Sequence, residues 1–250
     1  VIFEQNKLAA PVFVEKIQNQ NLHGITTSPD MLVVYAPELE SAVNRYVDHR
    51  TNHSGITIQA VPVYQIYNEF GSGSPDVTAI RDFVKMLYSR STSMDSLRYL
   101  LMFGDGVFDH KNNNESSSYL NLVPIYETVE SLDPIRSYPS DDFFTLMDDN
   151  EGSITSGMLD IGAGRFPVGN LTEADQMVDK VIRYETDPSS FGDWRNRVLF
   201  NADDEDGNLH LRDADTVAAR LGRAYKDLNV NKIYFDAFQQ IAGPQGNRFP

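Results

Sequence analysis

The stretch RYLLMFGDGVFDH, residues 98–110, contains a run of apolar residues that ends abruptly at Gly104, Asp105 and Gly106. Residues 98–103 have the length of a strand and are apolar on both faces, which is typical of a strand covered by helices on both sides of a sheet. The acids that follow, Asp105 and Asp109, belong either to a turn or to a site, because Asp-Gly is a standard turn pair and ligands collect where parallel strands end. The stretch therefore predicts a central buried strand and leaves the role of the two acids open.

Apolar runs and helical patterns of the same kind alternate along the chain. The apolar runs predict strands at 31–36, 57–64, 98–103, 122–126, 159–164, 197–202 and 231–236. Capping residues and apolar stripes predict helices at 37–49, 75–90, 172–185 and 213–228. This order predicts an α/β fold, a doubly wound and mostly parallel sheet flanked by helices on both faces. Residues 1–28 are predicted to lead into the sheet without belonging to it.

Composition excludes several functions. The 250 residues include 36 acidic and 21 basic side chains, which gives a net charge of −15. A chain of this charge is not expected to bind nucleic acid or to dock on anionic lipid, since both need a basic face. There is no apolar run of 18 residues, so the segment is not expected to insert into a membrane. The chain has no cysteine and therefore no thiol nucleophile.

Acids follow several of the predicted strands, and three interpretations of them remain open. They occur at Asp105 and Asp109, in the run 203–206, and at Asp141 and Asp142. They could cap helices and turns, hold a hard cation such as Ca²⁺ or Mg²⁺, or include a catalytic acid. The five histidines are not expected to form a paired metal site, and there is no serine elbow or complete phosphate loop. The residues alone therefore indicate an acidic rim without a complete catalytic set.

Several stretches together carry a family resemblance. The chain resembles the gingipain-type cysteine peptidases, and most closely their cell-surface sortase branch, the C-terminal signal peptidases of the type IX secretion system. The resemblance implies a caspase-like fold of two side-by-side subdomains, with a Gly-His-Gly histidine and a cysteine in the second. The stretches that carry it are IYNEFGSGSPDVTAIRDF (66–83), YLLMFGDGVFDH (99–110), SYPSDDFFTLMDDNEG (137–152), LDIGAGRFPV (159–168) and VIRYE (181–185) before Trp194.

The chain has neither the cysteine nor the Gly-His-Gly sequence that this family uses. The resemblance therefore implies that residues 29–250 are the N-terminal α/β subdomain, truncated before the catalytic subdomain, and inactive alone. The parent enzyme would be a cysteine endopeptidase that acts on protein or peptide substrates, with the missing second subdomain as partner of this one. Its expected location is secreted, or on the outer-membrane surface of a Gram-negative bacterium.

The resemblance also assigns roles to individual residues. Glu205 is expected to orient the catalytic histidine, although Asp203 or Asp204 could serve instead. The position that sets specificity in arginine-specific members falls near His210 or Asp213, so His210 is a candidate substrate-binding residue.

Members of the family bind calcium, and the expected ligands of Ca²⁺ here are Asp105, Asp141 and Asp142. An alternative function needs no catalysis: an α/β binding module whose acidic rim takes a divalent cation or a small ligand.

Overall fold

The computed structural model describes residues 12–13, 16–17, 19–110, 121–128, 137–152, 157–203, 206–244 and 246–248. The chain divides into two compact units, Val1–Val181 and Ile182–Pro250. The helices are α1 (Glu40–Ser54), α2 (Val63–Phe70), α3 (Val77–Ser89), α4 (Leu171–Thr186) and α5 (Leu209–Ala224). The strands are β1 (Met31–Tyr35), β2 (Ile58–Pro62), β3 (Tyr99–Phe103), β4 (Tyr126–Glu127), β5 (Pro139–Ser140), β6 (Gly162–Phe166), β7 (Arg197–Ala202), β8 (Asn229–Tyr234), β9 (Ile241–Gly243) and β10 (Gly246–Arg248).

The first unit is built on a four-stranded parallel sheet with the order β2-β1-β3-β6. In register, Val33 of β1 lies between Ala60 of β2 and Leu101 of β3, and Leu101 lies opposite Gly164 of β6. The chain passes from β1 outward to β2 and then back across β1 to β3. The direction of winding therefore changes between β1 and β3, and the crevice at the carboxyl end of these two strands is where ligands collect in such sheets.

Helices cover both faces of this sheet. The crossovers β1–α1–β2 and β2–α2–α3–β3 run in opposite directions, so right-handed connections place α1 and α3 on opposite faces. Arg45 of α1 forms ion pairs with Asp175 and Asp179 of α4, which puts α4 beside α1. The apolar stripes of the helices face the core. Strands β1 and β3 belong to the same core, because side chains on both of their faces are buried. The fully buried side chains include Leu32, Val33, Phe83, Leu87, Leu100, Met102 and Phe103.

The second unit contains a parallel pair, β7 and β8, connected through α5. Asp215 of α5 accepts hydrogen bonds from the Lys232 ammonium, at 2.5 Å, and from the Tyr234 hydroxyl, at 3.2 Å. These bonds fasten α5 to one face of the strand pair. Strands β9 and β10 follow as an antiparallel hairpin. Across the residues that the structure describes, no helix combines the length and apolar character needed to cross a membrane.

The predicted fold class is confirmed: the protein has a parallel sheet flanked by helices. The prediction of one strand over 57–64 is wrong at its end, because the chain turns into α2 directly after Pro62. Val63 and Ile66 of α2 are buried at helical spacing, a pattern that the apolar run 57–64 hides.

Two further strands differ from their predicted limits. Only Tyr126 of the predicted strand 122–126 is in a strand, because the N–H groups of Leu122 and Val123 donate to the Asp105 carbonyl and not to a neighbouring strand. The strand predicted at 159–164 lies at β6, residues 162–166. Helix boundaries also shift: α1 extends to Ser54, and α5 begins at Leu209 where the pattern predicts residue 213.

Candidate functional site

The carboxyl end of β3 is the point where the sequence stretch 104–110 leaves the sheet. Gly104 has a φ of +142°, and a Cβ atom there would lie 3.0 Å from Val123 Cγ2 and 3.1 Å from the Leu122 Cβ. Glycine is therefore required both by the backbone conformation and by the close approach of residues 122–123. The turn brings the segment that follows back against the end of the sheet.

Asp105 ties this turn together mainly through its backbone. Its N–H donates to the Val168 carbonyl at 3.0 Å, and its own carbonyl accepts from the N–H groups of Leu122 and Val123. Its side-chain Oδ1 accepts from the Gly106 N–H at 2.9 Å. This last bond joins the carboxylate to the N–H of the next residue and so keeps it within the turn. One carboxylate oxygen of Asp105 thus stabilises the turn.

Arg165 of β6 is the centre of the site. Its Nε and Nη2 atoms donate to the two carboxylate oxygens of Asp141, both at 2.8 Å. Its Nη1 donates to the carbonyls of Gly104, at 2.7 Å, and Val123, at 2.8 Å, and its Nη2 donates to the Pro124 carbonyl at 3.0 Å. The five N–H groups of the guanidinium therefore make five hydrogen bonds. The side chain is only 11% exposed, so the network is largely shielded from water.

The hydrogen bonds of this network involve the predicted calcium ligands. It brings Asp141 close to the turn that contains Asp105, but both oxygens of the Asp141 carboxylate bind Arg165. Asp142 begins a 3₁₀ turn, where its N–H donates to Ser140 Oγ and its carbonyl accepts from the Thr145 hydroxyl. Within the described ranges, no three or more His, Asp or Glu side chains form a group that could hold a metal ion. The calcium site remains a prediction.

A cavity of about 330 Å³ lies at the same rim, beside the N-terminus of α3. Among the described residues, its lining includes the acids Asp76 and Glu127 and the imidazole of His110, and no lysine or arginine. Burial raises the pKa of Glu127, and the nearby His110 opposes that shift. A perturbed carboxyl group in a concave site is a feature of binding and catalytic sites. The other lining residues are Pro75, Val77, Asn121, Pro124, Ile125 and Tyr126.

In the second unit, the structure places His210 against the acidic run that follows β7. Its Nδ1 lies 3.1 Å from Asp203 Oδ1 and 3.9 Å from Asp206 Oδ2. The hydrogen bond to Asp203 and the charges of the surrounding acids raise the pKa of His210. Asp204 and Glu205 lie outside the described residues, so the predicted role of Glu205 is not tested. The structure thus pairs His210, the candidate substrate-binding residue, with Asp203, one of the candidate acids.

Sequence reasoning missed Arg165. The only signal was an arginine in an apolar, glycine-rich strand, GAGRF, which would need a buried acceptor. Asp141 supplied that acceptor from a loop 24 residues away in the chain. Three of the five acceptors are backbone carbonyls, which no residue pattern reveals.

Comparison with known proteins places the chain among peptidases. Residues 25–250 match the family described as Peptidase family C25. The crystal structure of dimeric latent PorU from Porphyromonas gingivalis is similar, with a TM-score of 0.62 and 33% sequence identity over 76% of this chain. The chain covers 18% of that protein's length. No curated protein matches the sequence.

Replacing Arg165 by methionine should destabilise the protein by about 3 kcal/mol, because Asp141 and three carbonyls lose their donors at a shielded site. Arg165→Lys should recover only part of this loss, since an ammonium cannot reproduce the bidentate bond. Urea unfolding of the purified variants measures both effects.

The matched control is Arg45→Met, which also removes an arginine with two carboxylate partners. Arg45 is exposed, so its loss should cost less than about 1 kcal/mol. Equal losses for Arg45 and Arg165 would show that the rim does not depend on the Arg165 network.

His210 should titrate above its ordinary pKa of 6.5, because Asp203 favours the imidazolium. The pair therefore stabilises the folded state below about pH 6.5, and this contribution disappears as the pH rises through the raised pKa. Histidine ring signals followed by NMR against pH measure the pKa directly. Asp203→Asn should move it back toward 6.5, while Asp227→Asn, in the turn after α5, should leave it unchanged.

Proposed function

Because the chain belongs to peptidase family C25, the gingipain family, we propose that it is the non-catalytic N-terminal part of a gingipain-like cysteine endopeptidase. The observation that carries this proposal is the family match over residues 25–250 in a chain that contains no cysteine. A thiol peptidase needs a thiolate and a histidine to activate it. The nucleophile must then come from sequence outside these 250 residues.

Within this proposal, the first unit supports the catalytic machinery without taking part in the chemistry. Its rim is held by Arg165, whose N–H groups are all used for hydrogen bonds inside the protein. An arginine with all five N–H groups engaged positions the loops around it and has no donor left for a substrate. The rim is therefore a structural support, and the reacting groups come from the missing part of the enzyme.

The second unit supplies the acid that the family resemblance assigns to the active site. In the sequence Glu205 comes three residues after the end of β7, between Asp203 and His210, which are hydrogen-bonded to each other. A carboxylate in this role fixes the tautomer of the catalytic imidazole and stabilises its cation. His210, two residues beyond the turn at 206–208, is the candidate contact to substrate.

We further propose that the parent enzyme is a type IX secretion sortase, which removes C-terminal sorting signals at the outer-membrane surface of a Gram-negative bacterium. The 33% identity to PorU over 76% of the chain supports this assignment. The protein substrates and the cell-surface location are part of this proposal, and the family resemblance supports them.

The chain by itself should cleave no peptide in a thiol-dependent manner, because it has no cysteine. A fluorogenic peptide library assayed with reducing agent, with and without an alkylating inhibitor, measures this. Inhibitor-sensitive cleavage by the chain alone would refute the proposal. So would a parent sequence that lacks both a cysteine and a histidine after residue 250.

In the parent enzyme, Glu205→Gln should lower kcat about 100-fold or more, since the histidine loses its orienting carboxylate. Asp203→Asn and Asp204→Asn test the two neighbouring acids for the same role. Asp227→Asn is the control for removing an acid elsewhere in this unit. An unchanged kcat in Glu205→Gln with a large loss in Asp203→Asn would move the role to Asp203.

A second candidate function is supported by the cavity beside α3. Its lining contains two acids, Asp76 and Glu127, beside the imidazole of His110, so it suits a divalent cation or a small ligand. On this hypothesis the chain is a binding module that does no covalent chemistry.

Titration calorimetry with Ca²⁺ and Mg²⁺ tests this candidate. Micromolar Ca²⁺ binding that also raises the Tm would support it, by linkage between binding and folding. Glu127→Gln should weaken the binding if the cavity is the site, and Asp105→Asn should do so if the ion lies at the turn after β3. Asp82→Asn, at an exposed position of α3, is the control, and binding that all three variants retain would exclude both locations.

A further inference from the structure

Two histidines, His49 and His53, lie one turn apart on α1. Their rings stack with centroids 5.1 Å apart and planes 13° from parallel. The sequence pattern predicts a helix that ends at residue 49, which leaves His53 outside it and the two histidines unpaired. Because the helix continues to Ser54, both side chains belong to one helical face. The two rings therefore lie together on α1, whereas the sequence analysis expects no paired metal site among the histidines.

The spacing of the two rings matches that of a chelate. Nitrogens about 2.05 Å from a tetrahedral ion, with ring centres roughly 1.2 Å behind them, place the two ring centres about 5.3 Å apart. The observed separation is 5.1 Å. A bound ion lies in the plane of each imidazole that holds it, so the stacked rings must turn about their Cβ–Cγ bonds before both can point a nitrogen at a shared ion.

The rest of α1 holds this pair in place. Ala42, Val43 and Tyr46 are buried and fix the helix on the sheet, and His49 and His53 continue the stripe of Ala42 and Tyr46 into the last turns of the helix. Arg50, which lies between the two histidines in the sequence, belongs to a neighbouring row of the helix and is engaged there. Its Nε donates to the Tyr46 hydroxyl and its Nη1 to Ser54 Oγ, both at 3.2 Å. His53 lies at the surface, where an ion can reach it.

We propose that His49 and His53 form a binding site for a divalent transition-metal ion of the class that prefers imidazole, such as Zn²⁺, Ni²⁺ or Cu²⁺. Two histidines at positions i and i+4 of a helix supply two of the ligands, and water completes the coordination. Ca²⁺ and Mg²⁺ are not expected to bind here, because both ions prefer oxygen ligands to imidazole nitrogen. The net charge of −15 favours any cation near the surface.

Titration calorimetry of the full chain at pH 7.5, with Zn²⁺ and separately with Ni²⁺, tests this proposal. One ion should bind per chain, and His53→Gln should weaken binding about tenfold or more because a single imidazole remains. Bound Zn²⁺ should also raise the Tm of the chain and should no longer do so in His53→Gln. Far-UV circular dichroism confirms that the variant is folded.

The sharpest control keeps the number of histidines and changes only their spacing. Thr51→His combined with His53→Thr moves the second imidazole to position i+2, where the two rings face different sides of the helix. Affinity should fall as far as in His53→Gln. If the moved histidine binds as well as the original pair, the ion is held elsewhere and the proposal is overturned.

A competition experiment separates this site from the acidic rim. A millimolar excess of Ca²⁺ should leave Zn²⁺ bound to the histidine pair, because imidazole is a poor ligand for calcium. Displacement of Zn²⁺ by Ca²⁺ would assign the binding to carboxylates and overturn the proposal. The result is independent of the peptidase assignment, since α1 carries the pair whether or not the parent enzyme cleaves peptides.

Discussion

The guanidinium of Arg165 is the constraint on which the carboxyl edge of the first sheet depends. Its five hydrogen bonds join β6 to the end of β3, to residues 123–124 and to Asp141. The segments that it joins have little regular structure of their own, since β4 and β5 contain two residues each. Without the guanidinium at their centre, three backbone carbonyls and one carboxylate in these loops would lack a hydrogen-bond donor at a site shielded from water.

The winding of the sheet explains why such a centre is needed at this place. The parallel order β2-β1-β3-β6 changes direction between β1 and β3, and the Ala36 N–H donates to the Phe103 carbonyl across that junction. The chain then leaves β3 through Gly104 and returns against the sheet at Leu122 and Val123. A loop that crosses the end of a parallel sheet loses ladder partners, so its backbone groups must find others. Asp105 and Arg165 provide them, which makes the Gly-Asp-Gly turn a structural support of the rim.

Sequence reasoning found the parts of the molecule that depend on local patterns. The runs MLVVY and YLLMF were recognised as buried strands because both faces are apolar, and the caps and stripes located α3 and α4. The Arg165 network could not be found in this way, because most of its acceptors are carbonyls that every residue has. Helix α2 was hidden for a different reason: its residues Val63 and Ile66 extend the apolar run of β2, and short apolar runs do not distinguish helix from strand. The extension of α1 past residue 49 was missed because its last turn is polar, and tertiary packing of the earlier turns maintains it.

Many of the acidic side chains have a structural role that does not involve a ligand. Many acids accept hydrogen bonds from backbone N–H groups at loops and helix ends, where a negative charge is favourable. Examples are Asp30 with Thr57, Glu69 with Leu22 and His23, Asp76 with Thr78, Asp160 with Met147, Glu173 with Gly169, and Asp187 with Ser189. An acid engaged in this way would have to give up a structural bond before it could bind an ion with both oxygens. Glu127 differs from these acids, because burial in the wall of a cavity disfavours its charged form and a bound cation would relieve that cost. The total of 36 acids is therefore a weaker guide to ligand binding than the few whose charge the fold leaves uncompensated.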